Sequence, residues 1–142
     1  MSSEKLRLQI ITPDCVKYDD ECDMVILRCT TGDMGILPKH EACVAILDYG
    51  VLRILNDGEE RRMAVYGGIA KIWDDMATVL VNGAQWPEDI DRADAEAERE
   101  KAERRLQESL DDVQLQKEHI LMRRTLVQIE VSSYPLIGKA ER

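Results

Sequence analysis

The chain has 142 residues, 44% apolar and 33% charged, a globular composition that excludes intrinsic disorder. Its 28 acidic against 19 basic residues leave a net charge of −9, which argues against non-specific nucleic-acid binding, because such binding needs positive charge to neutralise phosphates. No apolar run approaches the roughly 20 residues of a membrane span, and Met1-Ser2-Ser3-Glu4-Lys5 lacks the basic-then-apolar plan of a secretory leader, so a soluble intracellular chain is expected.

Residues 1 to about 85 read as strands. Leu6, Leu8 and Ile10 alternate with Arg7 and Gln9, the period of two that a half-buried strand requires. Thr12-Pro13-Asp14 breaks that strand. Val16 to Asp20 reads as a short second strand, and Met24 to Cys29 as a buried one. Val44 to Leu47 and Gly50 to Leu55 are extended. Asp57-Gly58 then predicts a hairpin turn into Arg62 to Tyr66, because both residues of such a turn need positive φ. Gly67-Gly68 marks a bend or a close backbone approach. Ile69 to Trp73 and Met76 to Val81, joined by Asp74-Asp75, form another hairpin. Short strands at this spacing predict a β-sandwich or barrel. With no Phe, its core is built from Val, Ile, Leu and Met.

Between the buried runs lies Thr31-Gly32-Asp33-Met34-Gly35-Ile36-Leu37-Pro38-Lys39-His40-Glu41. Its glycines, aspartate and proline are turn chemistry. Met34, Ile36 and Leu37 are large and apolar for a surface turn. One reading is a loop that folds back to cap the β core. The other is a loop whose apolar tip sits against another protein.

Composition changes at Trp86-Pro87, which divides the chain into 1–86 and 87–142. From Glu88 to Arg124 there are 12 acidic and 8 basic residues and few β-branched ones. Pro87, with Asp89 or Asp91, starts a helix. Ala93, Ala97, Ala102, Leu106 and Leu110 give it a thin apolar stripe. Asp111-Asp112 reads as a turn. Val113 to Ile129 reads as a second helix with Ile120, Leu121, Leu126 and Val127 as its apolar face, and the short connection implies an antiparallel pair. A mostly alanine seam buries little area, so the hairpin is expected to be weakly held and detachable. The tail from Ser132 has turn composition and carries no functional reading.

Catalytic constellations are missing from the pattern. There are only two histidines, no P-loop and no dinucleotide-binding glycine motif. A Cys43–His40 nucleophile pair is the one enzymatic alternative, and it competes with a plain strand cysteine. His119 reads as a helix-surface residue. Cys15, Cys22, Cys29 and Cys43 lack metal-ligand spacing and read as small buried apolar thiols in a reducing compartment. The helices carry Arg104-Arg105 and Arg123-Arg124, either as a solvated face or as a set that meets an acidic partner.

Taken in order, Ile11-Thr12-Pro13, the stretch from Gly32 to Glu41, Gly50-Val51-Leu52, Val65-Tyr66-Gly67-Gly68 and the charged hairpin resemble the epsilon subunit of F-type, proton-translocating ATP synthases over nearly the whole chain. Lys39 stands where that family commonly has glycine, and Glu41-Ala42-Cys43 where it has an Ala-Pro stretch.

The resemblance implies a β + α fold, an N-terminal antiparallel β-sandwich followed by a C-terminal antiparallel two-helix hairpin. It implies a non-catalytic rotor subunit that couples rotation of the membrane ring to ATP synthesis and restrains ATP hydrolysis through the hairpin. The implied partners are the gamma subunit, the ring of c subunits and, when the hairpin extends, the beta/alpha catalytic head. Gly32, Asp33, Met34, Gly35, Ile36, Leu37, Pro38 and His40 fall at the family's ring-contacting loop, and Arg123 and Arg124 at the contact with the head. The implied location is the cytoplasmic face of a bacterial inner membrane, or the stromal face of a thylakoid.

Some members bind ATP on the folded hairpin through Ile-Asp-x-x-Arg-Ala and further arginines. Here Ile90, Asp91 and Ala95 match, Asp94 takes the arginine's place, Lys101 and Gln128 replace two others, and Arg124 is kept. Weak or absent ATP binding is expected, with no cofactor. The rival reading is a free-standing nucleotide-sensing module of the same fold.

Overall fold

A computed structural model of the chain describes residues 4–108 and 110–133. Eight strands come first: β1 (Leu6–Ile11), β2 (Val16–Cys22), β3 (Met24–Cys29), β4 (Gly32–Ile36), β5 (Cys43–Asn56), β6 (Glu59–Trp73), β7 (Met76–Val81) and β8 (Ala84–Gln85). A single 3-10 turn, Pro87–Asp89, leads into α1 (Arg92–Leu106) and α2 (Asp112–Ser132). The tail beyond Ser133 lies outside the described residues.

The strands are hydrogen-bonded in the order β2-β1-β7-β6-β5-β3-β4, with β8 on β6. This sheet folds over itself into a sandwich because its two longest strands bend. Before Asp48, Ala45 and Leu47 of β5 point into the core. After it, Leu52 and Ile54 do, while Tyr49 and Val51 turn to the opposite face. β6 changes phase beside it at Gly67 and Gly68, whose φ values are +79° and +150°. Met63, Val65, Ala70 and Ile72 of β6 are core, and Ala64 and Tyr66 face outward. Each pair of segments that looked like separate strands, 44–47 with 50–55 and 62–66 with 69–73, is therefore one continuous bent strand.

Two further expectations are corrected. The sheet is not wholly antiparallel, since β1 and β7 run parallel. No short turn joins these two strands. The whole run from β2 to β6 serves as the crossover a parallel pair needs. The stretch expected as a loop is a strand over its first half. Gly32 to Ile36 pairs back on β3, with Val25 opposite Ile36 and Leu27 opposite Met34. A tight turn at Thr30-Thr31 permits this, and Pro38 falls after the strand has ended.

The Asp57-Gly58 turn forms as expected, with both residues at positive φ. Lys5 ties this turn to other corners of the sandwich. Its ammonium lies 2.7 Å from Asn56 Oδ1 and 2.8 Å from both Asp57 and Asp23 carboxylates. The hydrogen bond from Lys5 holds the Asp23 carboxyl below its ordinary value.

The helices start on aspartate caps. Asp91 accepts a hydrogen bond from the Asp94 amide, and Asp111 and Gln114 exchange bonds in a capping box. α2 is the helix that lies on β5 and β6, and α1 packs on α2. Val127 and Val131 cover Val51, Ala64 and Tyr66, with Tyr49 and Ile90 alongside. The expected apolar stripes hold at Ala102 of α1 and Val127 of α2 and differ elsewhere. Ala95 and Ala102 are buried in α1, whereas Ala93 and Ala97 are exposed. In α2 the buried residues are Glu118, Thr125, Val127 and Val131, whereas Ile120 and Leu126 are half exposed. Helical spacing admits several alanine rows in α1, and contact with α2 selects one. The sandwich likewise supports only one end of α2, so part of its apolar sequence stays uncovered.

The interhelix seam contains one liability. Glu118 Oε1 accepts a 3.0 Å bond from Arg105, but its buried Oε2 has no hydrogen-bond partner among the described residues. Glu118→Leu is expected to stabilise the folded hairpin by about 1 kcal/mol, because it removes a half-satisfied carboxylate and leaves Arg105 in water. Slower amide exchange in α2, with unchanged exchange in β1 and β7, is the expected result.

Candidate functional site

Three surfaces of the fold offer chemistry. The first is the end of the sandwich made by residues 37–42. The Leu37–His40 turn is closed by the bond from the His40 amide to the Leu37 carbonyl, 3.2 Å. Lys39 takes positive φ, which explains why glycine would suit this position, and its amide donates to the Asp75 carboxylate. The turn therefore lies against the β6–β7 turn. Of the residues expected at an apolar tip, Ile36 is fully buried and Met34 packs on the core. Leu37 is 53% exposed and is the apolar side chain this tip presents. Gly32, Asp33 and Gly35 lie on β4, Pro38 and His40 are half-buried, and the Asp33 carboxylate holds Arg28 at 3.0 Å. His40 Nδ1 lies 2.7 Å from the Glu41 carbonyl. Cys43 opens β5 and packs on the core, as a strand cysteine does.

The second surface is the outer face of β5, β6 and β7. The pairing register sets Ile46 directly opposite Ile69, and Ile69 opposite Leu80. These three are 61%, 45% and 45% exposed, and Val44 and Trp73 add further exposed apolar area. This cross-strand row of aliphatic side chains stays in water and is apolar area that the core does not use. Nothing in the described chain covers it.

The third surface is the seat of α2. Arg123 forms an ion pair with Asp48, and its guanidinium carbon lies 4.8 Å from the Tyr49 ring centre. Arg124 lies 4.7 Å above the Tyr66 ring. The Tyr66 hydroxyl donates to Gln85 Oε1, which also accepts from Gln128 at 2.9 Å. Burial pushes the Tyr66 phenol up, against the opposing influence of Gln128 and Arg124. Sequence reasoning singled out both arginines but none of their partners, which stand 58 to 75 positions earlier in β5 and β6.

Beside this seat is a cleft of about 390 Å³. Ile90, Asp91 and Arg124 all line it, so the fold does gather the three residues of the expected ATP pattern. It also brings in Asp89, Asp94 and Glu98. Arg124 is the one cation among the described lining residues, facing four carboxylates. The lining is therefore net negative.

The thiols are not uniform. Cys22 and Cys29 are buried, Cys43 is intermediate and Cys15 is exposed, which corrects the reading of all four as core thiols. Burial pushes the Cys22 thiol up to about 11, so it is unreactive near neutrality. No group of three or more potential ligands is placed to hold a metal among the described residues. Among the described residues no helix is long and apolar enough to cross a membrane.

Residues 5–87 match the family described as ATP synthase, Delta/Epsilon chain, beta-sandwich domain. The chain is 43% identical over 103 residues to the ATP synthase epsilon chain of Alkaliphilus oremlandii, covering 72% of this chain and 77% of that one. It is 39% identical over 110 residues to the ATP synthase epsilon chain of Bacillus subtilis, covering 78% and 83%. Its fold is similar to a chain within the mitochondrial ATP synthase of Euglena gracilis, in an OSCP/F1/c-ring assembly, at a TM-score of 0.82 and 21% identity, covering 93% of this chain and 83% of that one. A chain in the central stalk/c-ring of the Tetrahymena thermophila mitochondrial ATP synthase matches at a TM-score of 0.61 and 16% identity, covering 93% and 99%.

Proposed function

Because the chain belongs to the family of ATP synthase epsilon chains, an accessory and non-catalytic subunit of that membrane-associated complex, we propose that it couples rotation of the membrane ring to the catalytic head and restrains ATP hydrolysis through its hairpin. The observation that carries this reading is the exposed row Ile46–Ile69–Leu80 on the face turned away from the core. An aliphatic row of this kind suits a permanent partner, and the gamma subunit of the stalk is the proposed occupant. Relatives of the fold within stalk and ring assemblies support that choice.

The two ends of the sandwich suit different neighbours. β1 runs between them. Its start bonds to the β6–β7 turn beside Leu37–His40, through the Arg7 amide and the Asp75 carbonyl at 2.9 Å. Its end leads to Thr12, which lines a cleft of about 350 Å³ beside Arg124. The turn end, with Leu37 exposed, is the proposed contact with the ring of c subunits. The hairpin end is proposed to release α2 toward the beta/alpha head, where Arg123 and Arg124 meet carboxylates. The complex is proposed to lie on the cytoplasmic face of a bacterial membrane, or on the stromal face of a thylakoid.

The test is the ATP hydrolysis rate of an epsilon-depleted catalytic head before and after the chain is added. A fall in rate with stable association is expected. Association without a fall removes the restraint by the hairpin and leaves a structural coupler. Failure to associate removes the proposal.

ATP is proposed to bind the folded hairpin weakly or not at all. The acidic cleft around Arg124 speaks against the rival nucleotide-sensing reading. Calorimetric titration of the isolated chain with ATP is expected to give no saturation in the micromolar range. Asp94→Arg, which restores the family's cation, is expected to raise affinity, and micromolar binding by the unaltered chain would refute the proposal.

A further inference from the structure

We propose that Arg123 and Arg124 are also the latch that holds α2 on the sheet, so that the docked and released hairpin compete for the same two guanidinium groups. The inference rests on the reading that α2 leaves the sheet to meet the head. Successive residues of a helix point about 100° apart, so two consecutive long side chains straddle whatever lies beneath them. Beneath them lie Tyr49 and Tyr66, directly opposite each other in the β5–β6 register with ring centres 5.9 Å apart. Arg123 takes the Tyr49 side and Arg124 the Tyr66 side.

Asp48 completes the first prong. It sits where β5 changes phase, its Oδ1 accepts the Tyr49 amide at 2.8 Å, and the same oxygen takes Arg123. The Asp48 carboxylate is thus positioned by its own backbone and meets the helix with little left to order. Gln85 completes the second prong by joining the Tyr66 hydroxyl to Gln128, one helical turn beyond Arg124. The apolar part of the seat is small, consisting mainly of Val127 and Val131 over Val51 and Ala64. A latch made of cations over rings and a half-exposed ion pair is strong enough to set the helix in one rotation, and each contact is weak enough to exchange. A guanidinium occupied by Asp48 and Tyr49 is not free for a carboxylate of the head. Docking therefore engages, through Asp48 and the two tyrosine rings, the very guanidinium groups that contact with the head would use.

Asp48→Asn separates the two roles, because it weakens the latch and leaves both arginines intact. In the isolated full chain, hydrogen exchange of the α2 amides from residue 120 to 131 is expected to speed up about 3- to 10-fold in Asp48→Asn, and more in the double variant Arg123→Ala/Arg124→Ala. Amides of β1 and β7 report an intact sandwich and are expected not to change. Unchanged α2 exchange in both variants would overturn the latch. With the chain bound to the head, Asp48→Asn is expected to deepen the restraint on hydrolysis. The double variant is expected to relieve it although its hairpin is looser. Faster exchange without either hydrolysis effect would support the latch and remove the proposed contact with the head.

Discussion

Gly68→Ala is expected to destabilise the chain by about 3 kcal/mol or more, seen as a fall of at least about 1 M in the urea midpoint. A Cβ at Gly68 would stand 2.2 Å from the Leu80 carbonyl oxygen and 2.7 Å from Val81 Cα. Both are backbone atoms of β7, and neither moves without breaking the β6–β7 ladder. The φ of +150° adds strain that any L side chain would carry. Gly58→Ala is the control. Its φ is +79°, but nothing lies within 4 Å of the added carbon. Only the conformational term remains, so a cost near 1 kcal/mol is expected. Equal losses at the two sites would mean that the approach of β7 to β6 is not what requires glycine at the bend.

Ile69→Asp, one residue along the same strand, is expected to leave stability nearly unchanged and to abolish assembly. Ile69 is the middle member of the exposed row and faces away from the core. A carboxylate there stays hydrated in the free chain. In an aliphatic interface it loses water without gaining a partner, a cost of about 2–4 kcal/mol, or roughly 30- to 1,000-fold in affinity. Association with the stalk, measured by co-purification with the gamma subunit, is the readout, and a urea curve confirms folding. Retained association would move the docking face elsewhere. Ile46→Asp and Leu80→Asp, its direct neighbours in register, are expected to behave alike, whereas Val113→Asp, exposed on α2, is expected to leave association intact.

Much of this was legible in the chain. The alternation of Leu6, Leu8 and Ile10 fixes β1, the Asp57-Gly58 pair fixes its hairpin, and the change of composition at Trp86-Pro87 coincides with the passage from strands to helices. Those features are local, since periodicity and turn chemistry act over a few residues. The ordered motifs also identified the family, which the match over residues 5–87 supports independently.

What the sequence left open depends on distance. Nothing local tells β1 to run parallel to β7, or tells Gly32–Ile36 to pair back on β3. Among several alanine rows in α1, only the contact with α2 chose Ala95 and Ala102. Ile36 admits both a cap on the core and an exposed tip and is core, while Ile46, Ile69 and Leu80 read as ordinary strand residues and are exposed. A residue's side of a bent strand is settled by where the bend falls, and here that is Asp48 and Gly67-Gly68. Arg123 and Arg124 were visible as charges, but Asp48, Tyr49 and Tyr66 became their partners only when the sandwich and hairpin closed. Local patterning specified most of the elements and, through the ordered motifs, the family. Tertiary packing decided which faces were left for other proteins, because burial is a property of the assembled layers and not of any one segment.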